Sequence, residues 1–300
     1  MPPRSATPTF DEYYSAQYGE RWPALRTALA AHRPGVLRPN GFADPSFVAE
    51  ALGSRTMAAA STNCRLADPE EERLEAPCDS RGLRAWYQMD LASVLAAETL
   101  DIEPFHRVLD LCAAPGGKAL ILAEKLRTHG GLTLNELSSA RRGRLKQVLT
   151  DYLPAPRREE IRVTGFDAAQ WCRHESEAYD RVLLDAPCSS EAHVVRQPRH
   201  LQAWTPNRSP QLAQRQYALL SSALRLLKPG GQLLYSTCAI SKLENDRVVE
   251  RALANATKKN FASRVLPFHW PLGAPTEFGQ IVLPDQDQWG PLYACRLERI

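Results

Sequence analysis

From about residue 104 onward, short apolar runs and amphipathic stretches follow one another along the chain. "RVLDLC" reads as a buried strand, and a glycine-rich turn leads from it into the helix "GKALILAEKLRTHG". "GLTLNEL" and "SSARRGRLKQVLTDYL" repeat the strand and the helix, and "IRVTGFD" and "DRVLLDA" give a third and a fourth strand. A long loop with prolines at 198, 206 and 210 leads to the helix "SPQLAQRQYALLSSALRLL"; "KPGG" stops it, and "QLLYSTC" is the fifth strand. Strands that are apolar almost throughout are covered on both faces, and strands alternating with helices build a parallel sheet. The pattern predicts a doubly wound, mostly parallel α/β sheet of Rossmann-like type over residues 104–300, with ligands at the carboxyl ends of its strands.

Residues 1–103 read as a separate, smaller and mainly helical region that either binds RNA or packs on the sheet domain. "DEYYSAQYGERWPALRTALAAH" has helical spacing, with Tyr18, Trp22, Leu25 and Leu29 on one side. Turns follow in "RPGVLRPNGFADPS", an exposed acidic loop in "ADPEEERLEAP", and a helix in "RAWYQMDLASVLAAETL" with Leu91, Val94, Leu95 and Leu100 apolar.

Composition narrows the class. A chain of 300 residues with 44% hydrophobic content can bury a sizeable core, and its ordinary aromatic and charged content excludes disorder and fibrous repeats. No apolar run approaches the roughly 20 residues that cross a bilayer, so no membrane is expected. "MPPRSATPTFDEYY" has no charged segment followed by a long apolar one, so the expected location is cytoplasmic. Seven cysteines without a CxxC pair point to reduced thiols and to no metal site; "WCRH" reads as a helix end. Net charge is only +3, but Arg141, Arg142, Arg144 and Lys146 cluster, Arg157 and Arg158 follow, and Arg196, Arg199 and Arg208 mark a later loop. Such runs are either solvated faces or contacts to nucleic-acid phosphates, which reward local basic clusters.

The first strand-to-helix turn, "LDLCAAPGGKA", lets backbone approach a ligand and ends at a helix N-terminus. The phosphate-loop pattern fails at Cys112 and Ala119, and the dinucleotide pattern GxGxxG is missing. Glu136 at the end of the second strand is placed to accept ribose hydroxyls, and Asp167 at the end of the third to reach an adenine amino group. An adenosine without a pyrophosphate fits this set, and S-adenosylmethionine is the commonest such cofactor.

Cys188 and Cys238 end the fourth and fifth strands, which lie side by side in such sheets. Carbon 5 of a pyrimidine is too weak a nucleophile to take a methyl group unaided. A thiolate added to carbon 6 makes carbon 5 enamine-like; a base then removes the carbon-5 proton and the thiol leaves. Asp185 is placed to hold or protonate the ring nitrogen and amino group. Buried apolar cysteine is the competing reading for each thiol, and it requires a coincidence at two adjacent strand tips.

"LDLCAAPGGK", "NELS", "GFDAAQW", "YDRVLLDAPCSS", "LKPGGQLLYSTC" and "ENDRVVE", with "YQMDLAS" before them, occur in one order over residues 85–255. In this the chain resembles the Nop/Sun (Fmu-type) family of RNA cytosine-5 methyltransferases, whose fold is the class I S-adenosylmethionine-dependent one. The resemblance implies that Cys238 of the "TC" motif attacks carbon 6 and that Cys188 of the "PC" motif assists release. It also implies that Cys112, Ala113, Ala114, Pro115, Gly116, Gly117, Lys118, Glu136, Asp167 and Asp185 line the cofactor and target pocket. Lys118 counts with Cys238, Cys188 and Asp185 among the catalytic candidates. DNA cytosine methyltransferases use the "PC" cysteine as nucleophile and lack the "TC" partner. Ala119, Glu136 and "CSSEAH" depart from the usual threonine, aspartate and glycine-containing turn. The last, with "FDEYYSAQYGERWPALR" and "WGPLYACRL", resembles the short branch that includes the mitochondrial ribosomal-RNA enzyme, a member of which works with a helical partner protein.

The expectation is therefore an enzyme that forms 5-methylcytidine in structured RNA, ribosomal RNA first and tRNA second. Arg141, Arg142, Arg144, Lys146, Arg196 and Arg199 are its candidate phosphate contacts. The alternatives are a ribosome-assembly factor whose methylation is secondary and a small-molecule methyltransferase; the latter explains neither the thiol pair nor the basic clusters.

Overall fold

The computed structural model describes residues 7–32, 35–58, 62–67, 75–126, 130–258 and 261–300. Most of the acidic loop expected at 67–77 lies outside the described residues. The chain begins with helices α1 (Phe10–Tyr18) and α2 (Trp22–Ala30), strand β1 (Val36–Pro39), helix α3 (Pro45–Leu52), strands β2 (Arg65–Leu66) and β3 (Trp86–Met89), and helix α4 (Leu91–Glu98). Thr9 and Glu12 close a capping box at the start of α1. β2, β1 and β3 form a small antiparallel sheet. The single helix expected over "RAWYQMDLASVLAAETL" is thus a strand and a helix. Asp90 separates them by taking the N-cap of α4 and accepting from Ala92 N–H at 2.8 Å.

Then come β4 (Arg107–Asp110), α5 (Gly117–Leu126), β5 (Gly131–Asn135), α6 (Ser139–Tyr152), α7 (Ala155–Glu159), β6 (Ile161–Thr164) and β7 (Tyr179–Asp185). The proline-bearing loop expected next folds into α8 (Glu191–Arg196) and α9 (Pro198–Gln202), ahead of α10 (Arg208–Leu226). β8 (Leu227–Thr237) takes the "KPGG" stop signal into its own first residues, with a register shift against β7 after Tyr179. The chain closes with α11 (Asp246–Lys258), β9 (Ser263–Leu266), β10 (Ala274–Pro275), β11 (Gln280–Val282), α12 (Pro284–Asp287) and β12 (Leu292–Arg299).

The large sheet has the order β10-β11-β12-β8-β7-β4-β5-β6, with β9 on β12. β8, β7, β4, β5 and β6 are parallel, as expected, and β12 joins the β8 edge antiparallel. Successive residues of one strand serve opposite faces. Val108, Leu183 and Leu234 pack towards α5 and α6, while Leu109, Leu184 and Tyr235 pack towards α10 and α11. Two covered faces explain why these strands read as continuous apolar runs; each such side chain contributes roughly 1.5–3 kcal/mol on burial. The first strand, β4, lies beside the fourth, β7, and β7 beside the fifth, β8, which brings the ends carrying Cys188 and Cys238 together.

Candidate active site

A cleft of about 1360 Å³ opens at the carboxyl edge of the parallel strands. It exceeds the roughly 300–1,000 Å³ that one small ligand fills, which leaves room for a cofactor and a nucleotide together. At one end lies the loop after β4. Its Leu111 N–H donates to Leu183 O at 3.0 Å and its Ala113 N–H to Asn135 O at 2.8 Å, so the loop is tied to the strands on both sides. Cys112, Ala114, Pro115 and Lys118 line the cleft, whereas Ala113, Gly116 and Gly117 shape the loop from behind. Gly116 has φ of +125°, and a Cβ on Gly117 would lie 2.6 Å from Tyr87 Cε1 of β3. A side chain at either glycine would lift the loop off its support. The Asp110 carboxyl beneath it accepts from Cys112 N–H at 3.2 Å. Burial, then repulsion from Asp185, pushes its pKa up to about 7. Burial also pushes the Cys112 thiol up, so it stays protonated and is no nucleophile.

Asn135 and Glu136 close the next stretch of wall. Asn135 is fully buried; its amide donates to Leu111 O at 3.1 Å and Phe166 O at 3.0 Å. Its oxygen accepts from Thr164 Oγ1 and from Phe166 N–H, each at 2.9 Å. One side chain thus fixes the ends of three strands, a role that the sequence reading missed. Glu136 is buried at the cleft wall and accepts from Ser138 N–H at 2.9 Å. Its other oxygen lies 3.4 Å from the Arg141 guanidinium. Leu137 and Phe166, both about half exposed, add apolar surface to the same wall. Asp167 flanks the cleft rather than lining it, with its carboxylate on Ala169 N–H, on the Gln170 amide and 3.9 Å from Arg215.

At the other end Cys188 Sγ and Cys238 Sγ lie 2.8 Å apart, with Ser190 Oγ 3.2 Å from Cys238 and 3.5 Å from Cys188. The hydrogen bond that Cys188 donates holds the Cys238 thiol below its ordinary pKa despite burial, and Ser190 adds to this. The same bond, with burial, raises Cys188 well above the ordinary range. Of the two thiols, Cys238 is therefore the one that ionises more readily. Lys118 links the two ends: its Nζ donates to Asp185 Oδ2 at 2.7 Å and to Ser93 Oγ at 3.3 Å. Burial alone would lower its pKa, but attraction from Asp185, Cys238 and Asp110 raises it, so the ammonium stays charged. Ser236 Oγ holds the other Asp185 oxygen at 2.8 Å.

Two fully buried carboxylates support the thiol loops. Glu191 accepts from Tyr14 Oη of α1 at 2.5 Å, from Ile240 N–H at 3.0 Å and from Ser189 Oγ. Glu244 accepts from Ser189 N–H and from the Gln216 amide, each at 2.9 Å, and that amide also reaches Pro187 O. Burial, then repulsion from Glu191, raises the pKa of Glu244. Sequence reasoning missed both as functional groups, although Glu244 stands inside "ENDRVVE".

The basic candidates divide. Arg141 donates to Ala114 O at 2.7 Å and pairs with Glu136, and Arg142 donates to Glu136 O at 2.7 Å. Both therefore clamp the loops after β4 and β5, because α6 starts right after the acidic strand end. Arg157 is buried, pairs with Glu160 at 2.5 Å and reaches Ala123 O, and is a packing residue rather than a phosphate contact. Arg144, Lys146 and Arg199 are exposed, and Arg196 lines the cleft while its Nε donates to Leu29 O at 3.0 Å. Among the described residues no cluster suited to a metal ion exists, and no helix is long and apolar enough to cross a membrane.

The donor set suits S-adenosylmethionine. Glu136 offers a buried carboxylate for a diol, Phe166 and Leu137 an apolar wall for a flat base, and the loop after β4 a close backbone approach beside Asp185. The family model described as "16S rRNA methyltransferase RsmB/F" matches residues 97–298. The mouse protein named "5-cytosine rRNA methyltransferase NSUN4" is 32% identical over 99% of this chain and 89% of its own length. A zebrafish protein named "tRNA (cytosine(34)-C(5))-methyltransferase, mitochondrial" is 31% identical over 97% of this chain and 86% of its own. The solved structure titled "Crystal Structure of PH0851" superposes with a TM-score of 0.79 at 25% identity, covering 96% of this chain and 64% of that one. The chain belongs to the RsmB/F family of 16S ribosomal-RNA methyltransferases.

Proposed function

We propose that this chain, an S-adenosylmethionine-dependent RNA cytosine-5 methyltransferase, modifies a cytidine in folded ribosomal RNA through a covalent Cys238 adduct. One observation carries the reading: the two strand-end thiols meet at 2.8 Å beside the Ser190 hydroxyl, a contact that favours ionisation of Cys238. The Cys238 thiolate adds to carbon 6 of the target ring, and the carbon 5–carbon 6 electron pair moves into the ring towards the nitrogen at position 3. Asp185, held by Lys118 and Ser236, receives the exocyclic amino group, and the Lys118 ammonium faces the charge that develops on the ring. S-adenosylmethionine, when bound, would supply an electrophilic methyl group, which carbon 5 would take with its enamine electron pair while the sulfonium sulfur kept the pair of the broken bond. Cys112, Ala114, Pro115, Glu136 and Asp185 would line its place, with Asp167 at its flank. Removal of the carbon-5 proton to a base returns the electron pair, breaks the bond between sulfur and carbon 6 and frees the Cys238 thiolate. Cys188 assists that release by donating to the departing sulfur.

A base must leave its stack to reach a sulfur at the cleft floor, so a looped or opened region of RNA is the substrate. Exposed Arg144, Lys146 and Arg199, with Arg196 at the mouth, are the proposed phosphate contacts. A helical protein partner, implied by the branch resemblance, belongs to the same proposal. So does a cytoplasmic location, with which seven unpaired cysteines agree.

The test is methyl transfer from labelled cofactor to unmodified small-subunit ribosomal RNA, with a tRNA pool alongside. Wild type labels the ribosomal RNA, Cys238→Ala labels nothing, and Cys188→Ala leaves a protein–RNA adduct on a denaturing gel. Carbon-5 transfer by Cys238→Ala would overturn the thiol assignment, and preferential labelling of tRNA would overturn the substrate.

A further inference from the structure

Ser190 stands at a position that local conformation does not favour for it. It precedes α8 with φ of +53° and ψ of +56°, in the left-handed region where glycine is the unstrained choice. It occupies the N-cap of that helix, where a serine hydroxyl normally accepts from the first turn, yet it makes no such bond. Its Oγ lies instead 3.2 Å from Cys238 Sγ and 3.5 Å from Cys188 Sγ, with Cys188 O at 3.4 Å as another acceptor. A hydroxyl has one proton to donate and two lone pairs with which to accept. A charged sulfur is the stronger acceptor of that single proton, since hydrogen bonds to ionised groups exceed those to neutral ones.

We propose that the Ser190 hydroxyl is a third polar member of the thiol site, donating to Cys238 Sγ while that sulfur is charged and open to the Cys188 thiol on its other side. This rests on the reading of Cys238 as nucleophile and adds a residue to it. When sulfur becomes bound to carbon 6 it loses its charge and its call on the hydroxyl proton, and the hydroxyl is released to Cys188. When the bond to carbon 6 breaks, the hydroxyl returns and the thiolate is again held. No bond of Ser190 forms or breaks, so the group prepares and recovers the nucleophile without entering the adduct. The lowered pKa of Cys238, to which Ser190 contributes, agrees with this.

The experiment is site-resolved alkylation of Cys238 by iodoacetamide against pH on the full chain, read by peptide mass spectrometry. Ser190→Ala removes the hydroxyl and keeps the strained backbone; Ser190→Gly removes the hydroxyl and relieves the strain. Both should move the titration midpoint of Cys238 up by about one pH unit and slow its alkylation about tenfold at neutral pH. Methyl transfer in both should fall by a similar factor below that midpoint and recover as pH rises. An unchanged profile in both variants overturns the proposal, and so does a shift in only one of them, because the cause would then be the backbone. Cys238→Ala separates the two levels. If it still transfers methyl groups, the nucleophile reading fails and Ser190 with it; if it is inactive while both Ser190 profiles stay flat, Ser190 alone is struck out.

Discussion

The two ends of the cleft are built on different plans. The end formed by the loop after β4 is held within the sheet domain, by adjacent strands and the next helix: the loop hangs on Leu183 of β7 and Asn135 of β5, and Arg141 of α6 ties it to Glu136. The thiol end depends on residues scattered along the chain. Glu191 joins Tyr14 of α1 to the loop after Cys238, and Glu244 joins the loop after Cys188 to Gln216 of α10. Helices α1 and α2 pack through Phe10, Tyr14 and Trp22 on Trp204, Val194 and Ile240, at the thiol end. The N-terminal region therefore divides its support: α1 and α2 brace the thiol loops, while Tyr87 and Ser93 brace the loop after β4 and Lys118.

The largest expected effect breaks the cofactor end alone. Asn135→Ala removes four buried hydrogen bonds and should cost about 4 kcal/mol in urea unfolding, at about 1 kcal/mol each. In the folded fraction the alkylation profile of Cys238 should not move, because no bond of Asn135 reaches the thiols. A shifted profile would mean that the two ends are one cooperative unit.

Asp110 comes next, and its effect has the opposite sign. Its folded pKa of about 7 lies above its ordinary 3.8. A carboxyl raised in this way costs nothing below about 3.8, costs more as pH rises towards 7, and costs a constant amount above that. Asp110→Asn keeps an acceptor for Cys112 N–H and removes the charge. It should stabilise the chain by about 4 kcal/mol at pH 8 and by almost nothing at pH 4. Thermal midpoints of both proteins across that range check this, and parallel curves would refute the buried-charge account.

Tyr14→Phe sharpens the comparison from the thiol side. It removes one hydrogen bond to a buried carboxylate, worth about 2 kcal/mol. Cofactor affinity by titration calorimetry should stay within about twofold, since Tyr14 has no part in that end. A large loss of affinity would show that α1 supports both ends.

The contrast also explains what could be read from the sequence. The five parallel strands were legible because most are apolar almost throughout and alternate with helices; the cysteines and the glycine loop were legible because each closes such a run. β3 was not, because "WYQM" runs into a helix without a glycine or proline between them. Asn135 looks like any polar residue at a strand end until its partners on β4 and β6 are seen. Tyr14 and Glu191 are 177 positions apart, and no local pattern joins them. Arg141 and Arg142 were read with Arg144 and Lys146 as one basic cluster, but helical geometry divides them: the first turn faces Glu136 and the loops, and the next faces solvent.

That division supplies the smallest test. Arg141 is about half exposed, so its pair with Glu136 is screened, and its bond to Ala114 O is the stronger hold. Arg141→Ala should weaken cofactor binding by about 1 kcal/mol, roughly fivefold, as the loop after β4 loosens. Its RNA affinity should fall with salt along the same slope as wild type. Arg144→Ala should do the reverse, leaving cofactor binding alone and lowering the slope of log affinity against log salt by about one, as expected for one lost phosphate contact. Fluorescence anisotropy on labelled RNA across a salt series, beside calorimetry with the cofactor, separates the pair. If Arg141→Ala lowered the salt slope while leaving cofactor affinity intact, the clamp would be incidental, and α6 would present one continuous basic face to RNA.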